Sequence, residues 1–472
     1  MKVLVLEAST SSAKAMLYHS EKGIIAYTSL PYSSGISDVG THDTEGVYNA
    51  VLRAGRQVAE GQDVSAVAVG GMWHSLLLCD GYLKPVTPAY TWAYTEAMDA
   101  AERMRADGKA LRDYYNSTGC MAHAIYPSFK LLHFKEKHVS LQDKKIIGEG
   151  SYIFYRMTGE YKVSMSMASG SGILNTHTLD WDENVLDMLG IKREQLPELC
   201  SHEETGRLAA EAARALGIKP GIPVVPTHPD GALNQVGAGA LVPGVMTISV
   251  GTSAALRMAF DRPVLHEKSG TWCYYAPGHW LSGCAISGAT NCVDWFMDKV
   301  HGNRLSFQDA EREMEQASGE PPVFLPFLFG ERCPGWHDNR QGGFVNVNGG
   351  HETGHLYRAL VEGILFNLYQ CYTALVKAGG EPDIIRVSGG IVKSPSWTHM
   401  LADILQRDIE CSDMEQASML GAAALALYVC KALTSIENFD AGKANIVSPD
   451  RSKRHLYEKR YDRYLYWYER TL

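Results

Sequence analysis

Apolar residues recur along the chain with two spacings. Short runs bounded by turn residues predict strands, and segments of period 3.6 predict helices. Val3–Leu6, Lys14–Tyr18, Ile24–Ser29, Val64–Val69 and Ser75–Cys79 read as strands, and Thr44–Glu60 and Thr95–Ala106 as helices. Ile222–Pro226 reads as a buried strand, and the glycine-rich segment GALNQVGAGALVPG follows it. A new strand begins at Val245–Val250, and a later helix is predicted at His355–Lys377. Strands and helices mix in both halves, so the class is α/β.

The pattern also repeats. The first half opens VLVLEASTSSAKAMLY and the second opens MTISVGTSAALRMAF. Aligning Thr10-Ser11 with Thr252-Ser253 puts Glu7 on Ser249 and Ser9 on Gly251. Each half therefore starts with a predicted β-hairpin whose tip carries a Thr-Ser pair. Two such tips imply duplicated domains, residues 1–243 and 244–472, facing each other across a cleft. Backbone N–H groups and hydroxyls at the tips can grip a polyphosphate from both sides. Phosphate loops usually carry a glycine where the backbone must approach closely, and in the first hairpin Ser9 fills that place.

Composition narrows the function. The chain has 472 residues, 45% hydrophobic and 21% charged, which predicts more than one domain. A net charge of -9 with no basic tract argues against a nucleic-acid partner. No apolar run approaches the roughly 18 residues of a membrane span. The first apolar run is too short for a signal peptide and is interrupted by Glu7. Ten scattered cysteines without a C-x-x-C fit reduced thiols in a cytoplasm. Asn116-Ser117-Thr118 is then a chance match to the glycosylation sequon.

Several motifs invite a chemical reading. His351-Glu352-Thr353-Gly354-His355 fits H-E-x-x-H, but the glycines around and inside it predict a loop leading into a helix, not a zinc site. There is no P-loop, no G-x-G-x-x-G opening a helix after a strand, and no G-x-S-x-G. The aromatic segment TWCYYAPGHW, Thr271 to Trp280, reads as strand and core packing. Thr227-His228-Pro229-Asp230-Gly231 directly follows a predicted strand, where ligands gather in open α/β sheets. An aspartate there can accept a proton from a substrate hydroxyl, or can simply cap a helix or sit in a turn. Arg386-Val387-Ser388-Gly389-Gly390-Ile391 ends another strand in paired glycines, which suit either close ligand approach or a plain turn.

At these residues the chain resembles the FGGY carbohydrate kinases, which share the sugar kinase, Hsp70 and actin architecture. The resemblance spans nearly the whole chain. Its best stretches include GGMWHSLLLCD, SYIFYRMTGEY, HTLDW, PDGALNQVGAGA, SVGTSAALR, LFGERCPGW and SGGIVKSPSWTHMLADIL. It is nearest to gluconokinase-type members, with xylulokinase-type members next. The resemblance implies two actin-like, ribonuclease H-like domains with a cleft between them. It also implies ATP-dependent phosphorylation of a sugar acid or related open-chain sugar, with Asp230 as general base. Thr10, Ser11, Ser12 and Lys14 would meet the transferring phosphate, with Gly251, Thr252 and Thr290 on its opposite side. Gly389, Gly390 and Ser394 would lie against the adenosine. Trp73, His74, Tyr94, Tyr126 and Asp230 would touch the acceptor. Mg²⁺ would accompany ATP near Glu7 and Asp230, through water. The expected partner is a small sugar or sugar acid, in a homodimer if the common default holds.

The departures from the family are specific. Its Asp-x-Gly-Thr loop is Glu7-Ala8-Ser9-Thr10 here, its Gln-Met-His is Met72-Trp73-His74, and its Trp-x-Asp-x-Arg is Trp92-Ala93-Tyr94-Thr95-Glu96. Family glycines are replaced by Ile391, Ala289 and Thr290. Glu7 adds a methylene, and Ser9 disfavours a positive φ. Changed sugar-side groups imply a changed sugar preference. Two alternatives follow: a xylulose or polyol kinase of the same family, and a non-catalytic nucleotide or sugar sensor. The tail RSKRHLYEKRYDRYLYWYERTL predicts a packed helix.

Overall fold

A computed structural model describes residues 1–266, 268, 270–412, 416–439 and 442–471. Its frame is two mixed sheets. Six strands in the first half lie in the order Gly206–Arg207, Pro223–Pro229, Ala66–Gly71, Lys2–Ala8, Ser12–His19 and Gly23–Pro31. Seven in the second lie in the order Trp272–Ala276, His279–Ile286, Ala254–Phe260, Val245–Val250, Ile384–Gly389, Ile409–Cys411 and Asn445–Val447. The opening strand has the same neighbours in both halves. Lys2–Ala8 runs antiparallel to Ser12–His19 and parallel to Ala66–Gly71, as Val245–Val250 does with Ala254–Phe260 and Ile384–Gly389. Glu7 lies opposite Gly70, and Ser249 opposite Ser388. The repeat seen in the hairpins is thus carried by the register of the sheets.

The opening strand shows why its residues are apolar without interruption. Val3 and Val5 enter one core cluster, and Leu4 and Leu6 another, so both faces of the strand are covered. Helix Thr44–Ala59 covers one face with Val47, Val51 and Val58. The predicted strand Ser75–Cys79 shortens to Leu77–Cys79, because His74 before it has φ +68° and breaks the extended run. The helix expected from Thr95 begins at Met98, after turns over residues 92–97.

Helix Thr353–Gly379 is long and apolar enough to match a membrane span, despite Arg358 and Glu362 in its sequence. Here most of it is buried in the second half. Glu362 pairs with Arg460 of the C-terminal helix Arg454–Arg470 at 2.5 Å, with both side chains buried. The tail therefore packs on its own chain, and its last residue, Leu472, lies outside the described residues. His351 and His355 face the backbone carbonyls of Glu320 and Ser318, and His351 precedes the helix. The loop reading holds for His351 and Glu352, and the helix expected from His355 starts two residues earlier, at Thr353.

Two helices join the halves. Asp230–Gly237 follows the Pro223–Pro229 strand, and Ala417–Val429 follows the Ile409–Cys411 strand. Where they cross, a Cβ on Gly237 would lie 1.9 Å from the Ala417 carbonyl oxygen. One on Gly421 would lie 1.9 Å from that of Leu233. Only glycine permits backbones this close. Elsewhere in a helix Gly→Ala stabilises by up to about 1 kcal/mol. Gly421→Ala is expected to reverse that sign and destabilise by about 1–3 kcal/mol. Urea unfolding checks it, and an unchanged or raised midpoint would contradict the close crossing.

Candidate active site

Asp230 sits at the junction of strand and helix. Pairing of Pro223–Pro229 with Ala66–Gly71 shifts register between Val225 and His228, and Asp230 then opens the helix. Thr227 anchors this end by donating from Oγ1 to the Gly150 carbonyl at 2.7 Å and accepting from Ser164 Oγ at 2.7 Å. The Gly231 N–H donates to Asp230 Oδ1 at 2.6 Å. A Cβ on Gly231 would lie 2.5 Å from the Trp73 ring and 3.0 Å from Arg257 Nη2, so glycine lets both approach the aspartate. The carboxylate opens onto the cleft, but protein crowds it. Lost hydration, and then the charge of Glu7, push its pKa up to about 6, against the pull of Arg257, the Gly231 N–H and Lys14. Water entering the open cleft works against this rise.

The first loop, Ser9 to Ser12, is held from several sides. Ser9 N and Oγ both donate to the Ser12 carbonyl, at 3.1 and 2.8 Å. Ser9 does not have a positive φ, so the side chain costs no backbone strain. The expectation that serine disfavours the loop's conformation is thereby corrected. Thr10 Oγ1 donates to Met72 Sδ at 3.1 Å and accepts from Trp92 Nε1 at 3.1 Å. The Thr10 carbonyl meets His42 Nε2 at 3.0 Å, and His42 Nδ1 meets Glu149 at 3.0 Å. Acceptors at both ring nitrogens favour the protonated form of His42. Burial alone would lower its pKa, but the Glu149 hydrogen bond and charge raise it. Ser11 is exposed at the tip, and Ser12 is buried. Glu7 is buried beneath the loop, with Oε1 accepting from Lys14 at 2.8 Å and Oε2 from Ser418 at 2.5 Å. Its extra methylene thus reaches across to the second half. Burial opposes the Lys14 charge, but Glu7 outweighs it and the pKa is raised.

The second loop is one residue shorter. Val250 pairs with Ala254, leaving Gly251, Thr252 and Ser253, whereas Ala8 pairs with Ala13. Thr290 N donates to the Gly251 carbonyl at 3.0 Å, and Thr252 and Ser253 are exposed. Gly389 has φ +91°, and a Cβ there would lie 2.4 Å from the Val250 carbonyl oxygen. A cavity of about 480 Å³ opens beside it, lined by residues of both halves, including Lys14, Asn234, Gly389, Gly390 and Ser418. The buried Asn234 Oδ1 has no hydrogen-bond partner among the described residues. Ser394 is not part of this lining. Its Oγ caps helix Pro395–Leu405 by accepting from Trp397 N at 3.2 Å. A larger hollow of about 850 Å³, around Lys135, Lys144 and Lys192, holds none of these residues.

Beyond Asp230 the halves meet in an aromatic cluster. Trp73 lies 5.1 Å from the Tyr274 ring and 6.3 Å from Trp272, and the Tyr126 and Tyr274 hydroxyls bond at 2.7 Å. The strained His74 is held by its Nδ1 bond to the Gly170 carbonyl at 2.6 Å. Lys130 Nζ, fully buried, donates to the His74 carbonyl at 2.7 Å. The segment Thr271–Trp280 therefore packs as expected, and its Trp272 and Tyr274 carry the contact with Trp73 of the first half. Tyr94 does not join this cluster. Its ring packs on Tyr90 at 4.8 Å and Phe134 at 6.4 Å, because the turns before Met98 direct it there.

With this geometry in place, likeness to known proteins becomes decisive. The profile of the FGGY family of carbohydrate kinases, N-terminal domain, matches residues 2–237, and that of the C-terminal domain matches residues 246–430. The chain belongs to the FGGY family of carbohydrate kinases. The gluconokinase of Bacillus subtilis is 29% identical over 93% of this chain and 89% of its own length. The xylulose kinase of Escherichia coli is 27% identical over 89% of this chain and 88% of its own. The crystal structure of gluconate kinase from Lactobacillus acidophilus superposes with a TM-score of 0.92 at 28% identity, covering 98% of this chain and 97% of that one.

In this FGGY chain the sequence pattern missed Ser418, Trp92, Asn234, Arg257 and Tyr274. Asn234 and Arg257 lie inside stretches that carry the resemblance, and Trp92 lies in the altered Trp-x-Asp-x-Arg motif. The His42–Glu149 pair is a long-range contact with no local signal. Because folding raises the His42 pKa, its contribution to stability is full below the unfolded value of about 6.5 and is lost as pH rises through the folded value. The stability advantage of wild type over His42→Gln, measured by urea unfolding, is therefore expected to shrink as pH rises above about 6.5. A difference independent of pH would contradict an imidazolium beneath Thr10.

Proposed function

We propose that this carbohydrate kinase transfers the γ-phosphoryl group of ATP to a hydroxyl of a sugar acid or related open-chain sugar, with Asp230 as general base. The observation that carries the reading is the position of Asp230, at the end of a strand between the two hairpin loops and beside the aromatic cluster. An acceptor lying against Trp73, His74 and Tyr126 presents its hydroxyl to Asp230, whose raised pKa suits it to take the proton near neutral pH. Thr10, Ser11, Ser12 and Lys14 meet the transferring phosphoryl group, and Gly251, Thr252 and Thr290 hold the other side of the polyphosphate. The nucleotide takes the cavity along Gly389 and Gly390, which the two domains, residues 1–243 and 244–472, close between them.

Glu7 and Asp230 are oxygen donors that interact electrostatically and suit a hard cation held through water. Mg²⁺ there would neutralise charge developing on the phosphates. A dry, closed cleft suppresses hydrolysis of ATP by water. The same reading puts the enzyme in the cytoplasm. Likeness to xylulose kinases keeps a ketopentose or polyol as the second reading of the acceptor. Of the three replacements that motivate the sensor alternative, Ser9, Ile391 and Thr290, the first loses its force, since Ser9 does not have a positive φ.

Two outcomes are expected. Asp230→Asn lowers kcat for ADP release by about 10²–10⁴-fold while ATP binding is kept, and near-normal turnover would remove Asp230 from the mechanism. Wild-type kcat/KM for the acceptor falls as pH drops below about 6, where the base becomes protonated. A flat profile between pH 5 and pH 8 would contradict that role.

A further inference from the structure

Charge at the acceptor end of the cleft does not balance. Lys14 is paired with Glu7. Arg257 faces Asp230 across Gly231. Arg332 has no such counterpart. The adjacent carboxylate, Glu331, turns to Arg340 at 2.8 Å and to Tyr468 OH at 2.5 Å. Asp338 is taken by His123 at 2.9 Å and Arg105 at 3.0 Å.

Arg257 and Arg332, both half-buried, also differ from three other arginines. Nε is buried without a hydrogen bond in Arg257, Arg332, Arg340, Arg460 and Arg463. The last three bond through their other nitrogens, to Glu331, to Glu362 and to the Pro321 carbonyl. Among the described residues neither Arg257 nor Arg332 forms an ion pair or side-chain hydrogen bond. Arg332 lies near enough to His74, Tyr274 and Arg257 for its charge to act on each. His74 and His123 add no cation, since burial holds both rings neutral. Lys130 spends its Nζ on the His74 and Ile125 carbonyls, and burial lowers its pKa; Arg332 is thus an unmatched guanidinium, a planar fork that fits a carboxylate. Only Nε of Arg332 is sealed from water, and the other end of the fork is left open to a bound anion.

We propose that Arg332, with Arg257 beside it, binds the carboxylate of the acceptor, so that the substrate is a sugar acid and not a neutral sugar or polyol. The inference rests on the kinase reading above and commits it to one acceptor class. The Asp230 and Glu7 charges keep that carboxylate away from the phosphate loops, which leaves a hydroxyl farther along the chain to meet Asp230.

The test compares acceptors that differ only in the charged group. Aldonates of four to six carbons are set against the alditols of the same configuration, gluconate against glucitol among them, with ketopentoses added and ADP release as the readout. Wild type is expected to favour one aldonate over its alditol by about 100-fold in kcat/KM. Arg332→Met should reduce that preference to less than about 10-fold, and Arg332→Lys should keep part of it. ADP binding by calorimetry verifies that each variant is folded, and Arg257→Met supplies the reading if Arg332→Met is not. Equal or better turnover of an alditol or ketopentose would overturn this inference and leave the kinase standing. Absence of turnover across the panel would instead remove the kinase reading. Calorimetry with ADP present would then decide the present one. Aldonate binding abolished by Arg332→Met supports it, and absence of aldonate binding overturns it.

Discussion

The close crossing of two helices governs the geometry of this molecule. Asp230–Gly237 and Ala417–Val429 each leave the end of a sheet strand, and at Gly237 and Gly421 their backbones approach without side chains between them. Because the helices leave equivalent places in the two sheets, bringing them together turns the loop ends of the sheets toward one another. Asp230 is the first residue of one of these helices, so the residue proposed to do the chemistry sits on the element that joins the halves. Any motion of one half against the other is then felt at Asp230 and at the Glu7–Ser418 contact. That is the behaviour a kinase needs if closure is to exclude water before transfer.

In the proposed function, electrostatics decides what the cleft accepts. The proposed phosphate end carries Lys14 on Glu7, with His42 under Thr10, while the proposed acceptor end carries two guanidiniums and one aspartate. Aromatic walls from Trp73, Tyr126 and Tyr274 lower the local polarity and strengthen every charge between them. In the proposed reading, acceptor choice is set by which charges remain unmatched.

Much of this was legible in the chain. The two hairpins, the α/β class and the strand before Asp230 follow from apolar periodicity and turn residues, because these are local properties. The replacement of glycine by Ser9 misled, since residue type suggests a left-handed backbone and only the loop's own hydrogen bonds show otherwise. Tyr94 misled for a related reason: its position near Trp92 is sequential, while the turn between them sends the two rings to different places. Ser418 and Glu149 were invisible, since each acts on a residue more than one hundred positions away. The aromatic segment around Tyr274 was correctly read as packing. What the pattern did not carry is that a wall between two domains is packed like a core.

The central claim is that a phosphoryl group passes from nucleotide to an organic hydroxyl at Asp230 between the two loops. The most direct measurement follows the label. Purified protein is given ATP labelled at the γ-phosphorus, Mg²⁺ and the aldonate series, and the products are separated after a single turnover. The account predicts label in an organic phosphate ester and almost none in inorganic phosphate. Label released only as inorganic phosphate, or retained in ATP while both ligands are bound, would contradict it.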